Sequence, residues 1–248
     1  MWSSRSSSSF PVLVDQVQSL ICAPGKLHEI ETRLIDGRLQ RVYKNIWPNL
    51  REFWLFAVEG YRDNTYIVFE SSRLTYGEVF DRSVKAAALF RSVYGVKKGD
   101  RVVICSRNFP DYLVAFWACH LIGAVSALVN AYVYDPVPVL QSLSSIPSRW
   151  LPSEPTKHCL VHTQCRVAIL DPERADLLEA HVPAIKAQAG TTCFLVWEHH
   201  EGKGNWKGMR HWSEALDSVD ESAQRQILDH DPGLTPEDNA TIYFTSGT

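Results

Sequence analysis

The chain has 248 residues, 45% hydrophobic and 21% charged, with a formal net charge of −3. That length allows a substantial core, the composition excludes a disordered chain, and the charge balance supplies no basic face for nucleic acid. The longest apolar stretches, Tyr112 to Cys119 and Ile122 to Leu128, are broken by His120 and Gly123, well short of the roughly 20 residues of a transmembrane helix.

In chain order, Met1 to Phe10 is Ser-rich with one Arg and no acid. It reads as a solvated tail or an organelle presequence; Phe10 to Val14 is too short for the apolar stretch of a secretory signal. Val12 to Ile21 suits a short amphipathic helix, ended by the turn Ala23-Pro24-Gly25. Residues 1–40 are expected to form this tail and helix, and residues 41–248 one α/β domain. Tyr66 to Phe69 is a β-prone run. A helix then opens with a capping box, Thr75 at the N-cap and Glu78 three residues on, and ends near Gly95.

Val102 to Cys105 is continuously apolar, as a strand covered on both faces would be. Asn108-Phe109-Pro110 opens the next helix, which runs to about Leu121, and Ala124 to Asn130 is a second buried strand. Strand, helix and strand within about 30 residues make a right-handed βαβ unit. Further rounds follow: helix Glu154 to Thr163, strand Val167 to Leu170, helix Pro172 to Gln188 and strand Thr192 to Trp197. Residues 198–213 read as a polar loop, followed by a short helix at Trp212 to Val219 and a loop at His230 to Asn239. The predicted fold class is α/β, a mainly parallel sheet flanked by helices.

Cysteines occur at 22, 105, 119, 159, 165 and 193, with no CxxC pair. Reduced thiols suit an intracellular compartment; the cytoplasm is expected, with mitochondrion and peroxisome left open. His158, Cys159, His162 and Cys165 have donor atoms for zinc, but His158, His162 and Cys165 also fall together on one helix face, and no second cluster completes a ligand set. His199-His200 reads as solvated, and Tyr112, Phe116 and Trp117 as core. No catalytic residue and no metal ligand is assigned.

Thr241 to Phe244 is β-prone and empties into Thr245-Ser246-Gly247-Thr248. A glycine lets the backbone approach an anion, exposed N–H groups form a nest, and hydroxyls add donors. The same four residues also suit an ordinary turn, and the Walker arrangement is lacking. Tyr243-Phe244-Thr245-Ser246-Gly247-Thr248, preceded by Asp238-Asn239-Ala240, resembles the start of the signature loop of the adenylate-forming (AMP-binding) enzymes. Leu74-Thr75-Tyr76-Gly77-Glu78, Lys97-Lys98-Gly99-Asp100, Arg107-Asn108-Phe109-Pro110-Asp111 and Val129-Asn130-Ala131 resemble earlier segments of that family in order and spacing. Within it, the similarity is greatest to CoA ligases of fatty or small acids.

The resemblance implies an incomplete N-terminal domain of an acyl-CoA synthetase-like enzyme. It implies ATP, Mg²⁺ and coenzyme A as cofactors, and a small or fatty carboxylic acid as substrate. Thr245, Ser246, Gly247 and Thr248 would contact phosphate. The family's later segments do not appear, so the chain alone is expected to be inactive. An adenylation domain that loads a carrier protein, and a non-catalytic nucleotide-binding remnant, remain as alternatives. Residues 132–149 interrupt the resemblance, and joining Ala131 to Trp150 restores it. Those 18 residues read as an intron translated in frame or as a surface-loop insertion, whose entropic cost grows slowly with length.

Overall fold

The computed structural model describes residues 14–35, 37–129 and 153–244. The expected insertion at 132–149, the Asn130-Ala131 segment and the loop Thr245 to Thr248 lie outside the described residues. The chain divides into two units, residues 1–47 and 48–248.

In the first unit a helix α1 (Val14–Ile21) precedes an antiparallel hairpin of β1 (Ile30–Ile35) and β2 (Arg38–Tyr43). The hairpin is in register from Ile30 opposite Tyr43 to Ile35 opposite Arg38. It was not anticipated, because its strands carry Glu31, Arg33, Arg38 and Arg41 and alternate weakly. Lys44 closes its base, its Nζ donating to Glu29 Oε1 over 2.8 Å.

The second unit begins with α2 (Leu50–Tyr61), capped by Asn49, whose side chain accepts from the Glu52 N–H at 2.9 Å. A short hairpin of β3 (Thr65–Phe69) and β4 (Ser72–Thr75) leads into α3 (Tyr76–Ala88). The expected capping box is present: Thr75 Oγ1 accepts from Glu78 N, and Glu78 Oε2 accepts from Thr75 N. Thr75→Ala is expected to cost about 1 kcal/mol of stability, read as a lower urea midpoint at constant slope. Gly77 is required for close approach: its N–H donates to the Arg62 carbonyl over 2.8 Å, and a Cβ there would lie 2.8 Å from Arg62 Cγ. After Ala88 the helix widens into a π turn, Leu89–Val93, before Gly95 turns the chain at φ +65°.

The remaining elements are β5 (Arg101–Cys105), α4 (Pro110–Leu121), β6 (Val125–Val129), α5 (Ser153–Thr163), β7 (Val167–Leu170), α6 (Pro172–Leu178), α7 (Val182–Ala189), β8 (Cys193–Val196), β9 (Arg210–His211), α8 (Trp212–Asp217), α9 (Glu221–Asp229) and β10 (Thr241–Tyr243). They build a six-stranded sheet in the order β10-β6-β5-β7-β8-β9, every neighbouring pair parallel. The predicted α/β class and parallel sheet are therefore present. The predicted helix from Pro172 to Gln188 is instead two helices joined by a 3₁₀ turn at Glu179–His181. Pro183 is the cause, since it has no N–H to bond back to residue 179 and its ring crowds that carbonyl.

The strands alternate their side chains between two cores, as a sheet covered on both faces must. Val102, Ile104, Val167, Ile169, Leu195 and Trp197 join the core under α2, α3, α4, α8 and α9. Val103, Cys105, Ala168, Leu170, Phe194 and Val196 join the core under α5, α6 and α7. Cys105, Cys119, Cys165 and Cys193 are buried, and none of the six cysteines is in a disulfide. Burial pushes the Cys105 thiol up to about 12, so it stays protonated and weakly nucleophilic.

Candidate functional site

In open α/β sheets a ligand crevice forms at the carboxyl ends of the strands, where neighbouring connections leave for opposite faces. Here that point lies between β5, which leads to α4 on one face, and β7, which leads to α6 on the other. It is filled by the protein's own charges. Asp171, directly after β7, is fully buried. Its Oδ2 accepts from the Arg107 backbone N–H over 2.9 Å, its Oδ1 from the Arg174 N–H over 3.0 Å as the cap of α6. The Arg174 guanidinium donates to both carboxylate oxygens, at 3.2 and 3.1 Å.

Around this centre, Arg107 Nη2 donates to Glu201 Oε2 over 2.8 Å, and its guanidinium lies over the Phe109 ring at 4.9 Å. Trp197 Nε1 donates to Ser106 Oγ over 2.7 Å. The network ties together the loops that follow β5, β7 and β8. Such a paired, hydrogen-bonded carboxylate fixes geometry but offers no free lone pair for a ligand. Sequence reading passed over it, although Asp171 before Pro172 carries a cap signal. The partner Arg107 is 64 positions away, and no local pattern joins the two.

At one end of the strand order lie β10 and β6. Strand β10 lies parallel to β6, with Thr241 opposite Ser126, Ile242 opposite Ala127 and Tyr243 opposite Leu128. The Phe244 N–H continues the ladder to the Leu128 carbonyl at 3.3 Å. Ile242 and Phe244 pack toward the second core, while Tyr243 is 66% exposed. The chain therefore leaves the sheet at its carboxyl edge immediately before Thr245. Thr245, Ser246, Gly247 and Thr248 themselves lie outside the described residues. Tyr112, in the first turn of α4, is half-buried, and burial pushes its phenol up to about 12, the nearby Tyr243 adding to the effect. It is a neutral hydrogen-bonding group at physiological pH.

The other residues singled out from the sequence behave differently. Cys165 is buried, its sulfur 3.4 Å from Thr191 Oγ1. His158 and His162 stack along α5 with ring centroids 5.5 Å apart. His199 stacks on His211 at 4.0 Å, so it is not simply solvated. Trp117 is core and stacks on Trp54 at 4.4 Å, with Phe116 partly buried beside it. Among the described residues no helix is long and apolar enough to cross a membrane.

Comparison with known proteins gives the context. The crotonobetaine/carnitine–CoA ligase of Proteus mirabilis (strain HI4320) is 28% identical over 212 residues, which are 81% of this chain and 34% of that protein. The enzyme of the same name from Salmonella paratyphi A (strain ATCC 9150) is 33% identical over 205 residues, again 81% of this chain and 34% of the relative. The chain thus spans about a third of the length of the curated relatives it matches. The inhibitor-bound N-terminal domain of FACL13 from Mycobacterium tuberculosis shares the fold, with a TM-score of 0.60 at 17% identity over 82% of this chain and 42% of that one. Residues 56–248 match the AMP-binding enzyme family. That match covers the whole six-stranded sheet and runs through the strand that leads into Thr245: the chain belongs to the AMP-binding enzyme family.

Proposed function

We propose that this chain belongs to an acid–thiol ligase that activates a small or fatty carboxylic acid with ATP and passes the acyl group to coenzyme A. The carrying observation is the placement of β10 beside β6, which brings the backbone to the carboxyl edge of a parallel sheet just before Thr245. In the proposed reaction the carboxylate attacks the α-phosphorus in line, giving acyl-adenylate and pyrophosphate; the CoA thiol then displaces AMP. The work asked of the protein in the first step is to hold the reactants in line and offset phosphate charge. Thr245, Ser246, Gly247 and Thr248 supply backbone N–H groups and hydroxyls for the phosphates, and Mg²⁺ would neutralise charge on the same group.

The CoA-ligase names of the relatives support this reading, as does the resemblance of Tyr243 to Thr248 to the family's signature loop. Because the chain spans about a third of those relatives, we propose that it does not complete adenylation alone. ATP titration followed by tryptophan fluorescence tests the loop, and ATP–pyrophosphate exchange with short, aromatic and long-chain acids tests the activity. The 248-residue chain is expected to bind ATP weakly, to lose roughly tenfold in affinity on Gly247→Val, whose side chain would block close backbone approach, and to show no exchange. Affinity unchanged by that substitution rejects the phosphate-loop role. Exchange above background rejects the incompleteness.

A further inference from the structure

We infer that the turn following β8 is a binding site for a divalent first-row transition ion, held by Glu198, His200 and Glu201. Among the described residues, these three side chains bring their donor atoms within 4.8 Å of one another. His200 Nε2 stands 3.5 Å from Glu198 Oε2. Two donors on one tetrahedral ion, each at about 2.0–2.2 Å, are separated by about 3.3–3.6 Å. The observed spacing is therefore that of two ligands on a shared ion as well as that of a loose ion pair.

The local backbone explains why the three converge. Residues His199–Glu201 form a single 3₁₀ turn, preceded by Glu198 in the left-handed region at φ 48°. The Glu201 N–H donates to the Glu198 carbonyl over 2.9 Å, which closes the turn and brings residues 198 and 201 side by side. The turn is anchored on two sides. Arg107 Nη2 donates to Glu201 Oε2 over 2.8 Å, which orients that carboxylate and leaves Oε1 for an ion. Asp171, fully buried and 3.5 Å from Arg107 Nε, offsets the guanidinium charge. On the other side, the His199 ring is stacked on His211 at 4.0 Å, and His211 lies 3.0 Å from Glu214. His199 is thus drawn away from the donor set.

The donor types select the ion. An imidazole nitrogen with two carboxylates suits Zn²⁺, Co²⁺ or Ni²⁺, whereas Mg²⁺ and Ca²⁺ prefer oxygen alone. The side chains of His200, Glu198 and Glu201 are 68%, 28% and 40% exposed, so water completes the coordination and the ion is exchangeable. A bound ion would cross-link this turn, through Glu201 and Arg107, to the loop after β5.

Calorimetric titration of the 248-residue chain with Zn²⁺ and with Mg²⁺, and Co²⁺ absorption spectra, test the site. We expect one Zn²⁺ equivalent, no matching Mg²⁺ isotherm, and a Co²⁺ spectrum without a thiolate charge-transfer band. His200→Ala and Glu198→Gln should each weaken Zn²⁺ by roughly tenfold or more, since loss of a mere supporting group costs that much in established sites. The double variant His158→Ala/His162→Ala should bind Zn²⁺ as the parent does. Failure of the parent to bind Zn²⁺, a thiolate band, or binding that survives His200→Ala and Glu198→Gln but is lost in the α5 double variant would each overturn the site.

Discussion

Asp171→Ala is expected to lower the stability of the second unit by about 3–5 kcal/mol, the cost of leaving a buried charge without its partner. Three losses coincide at this one carboxylate. It is fully buried, so its removal opens no path for water to replace it. The Arg174 guanidinium, itself only 7% exposed, loses both of its hydrogen bonds to this carboxylate, while its bridge to Glu173 runs to a side chain that is 64% exposed. The first turn of α6 loses its cap, and the Arg107 backbone N–H loses its acceptor. Asp171→Asn keeps one oxygen to accept hydrogen bonds but removes the charge, so roughly half the loss is expected. Arg107→Gln removes the bridge to Glu201, the 3.5 Å approach of the guanidinium to Asp171 and its place over Phe109 but leaves the backbone contact, so it should cost about 1–2 kcal/mol, less than Asp171→Ala. Urea denaturation followed by tryptophan emission orders the three; an Asp171→Ala protein within about 1 kcal/mol of the parent contradicts the central role given to this carboxylate.

That network also marks where reading along the sequence stops. The βαβ order was legible because Val102 to Cys105, Val167 to Leu170 and Cys193 to Trp197 are unbroken apolar runs bounded by turn signals. The capping box at Thr75 and Glu78 was legible because all of its chemistry lies within four residues. Two helices were passed over for opposite reasons. Helix α2 (Leu50–Tyr61) carries Phe53, Trp54, Leu55, Phe56, Ala57 and Val58 consecutively, so it has no clear polar face. Helix α9 is mostly polar and buries a single residue, Ile227. Strand β9 has two residues and pairs with β8, too short for a period to show. At the candidate site, Thr241 to Phe244 was readable as a strand, but its place beside β6 comes from pairing across 115 positions, from Ser126 to Thr241. No local propensity encodes such a pairing; it follows from burying Ile242 and Phe244 in the second core.

His120 should impose an acid limit on the fold. The residue is 3% exposed on α4, edge-on to Phe116 at 4.4 Å and to Trp117 at 6.1 Å, and its Nε2 lies 3.5 Å from Ser126 Oγ. Burial brings the imidazole down to about 4 from its ordinary value of 6.5. Below pH 6.5 the unfolded chain takes up a proton at this position that the folded chain refuses until pH 4. The unfolded state then binds more protons, so stability falls as the pH falls through that window and levels off beneath it. The total is about 3 kcal/mol, at about 1.4 kcal/mol per pH unit. Asp111 acts in the opposite sense. Burial raises its carboxyl, so the folded chain holds that proton more readily than the unfolded one and gains stability as the pH falls. Glu78, Glu179 and Asp238, lowered by hydrogen bonds from Thr75, Lys203 and Lys98, lose stability on acidification as His120 does, but they lie at the surface, where solvent screens them. All of these groups persist in a His120→Leu protein, so the difference between the two stability curves isolates the imidazole. Unfolding free energies measured by urea at intervals from pH 7 to pH 4 should fall less steeply in His120→Leu, by close to one proton in the middle of the window. His120→Gln, which keeps a polar group beside Ser126 without a titrating one, should flatten the curve to the same degree whatever its stability at pH 7. Parallel curves for the parent and both variants would mean that His120 titrates alike in the folded and unfolded chains, and that the acid sensitivity of the fold arises from the carboxylates alone.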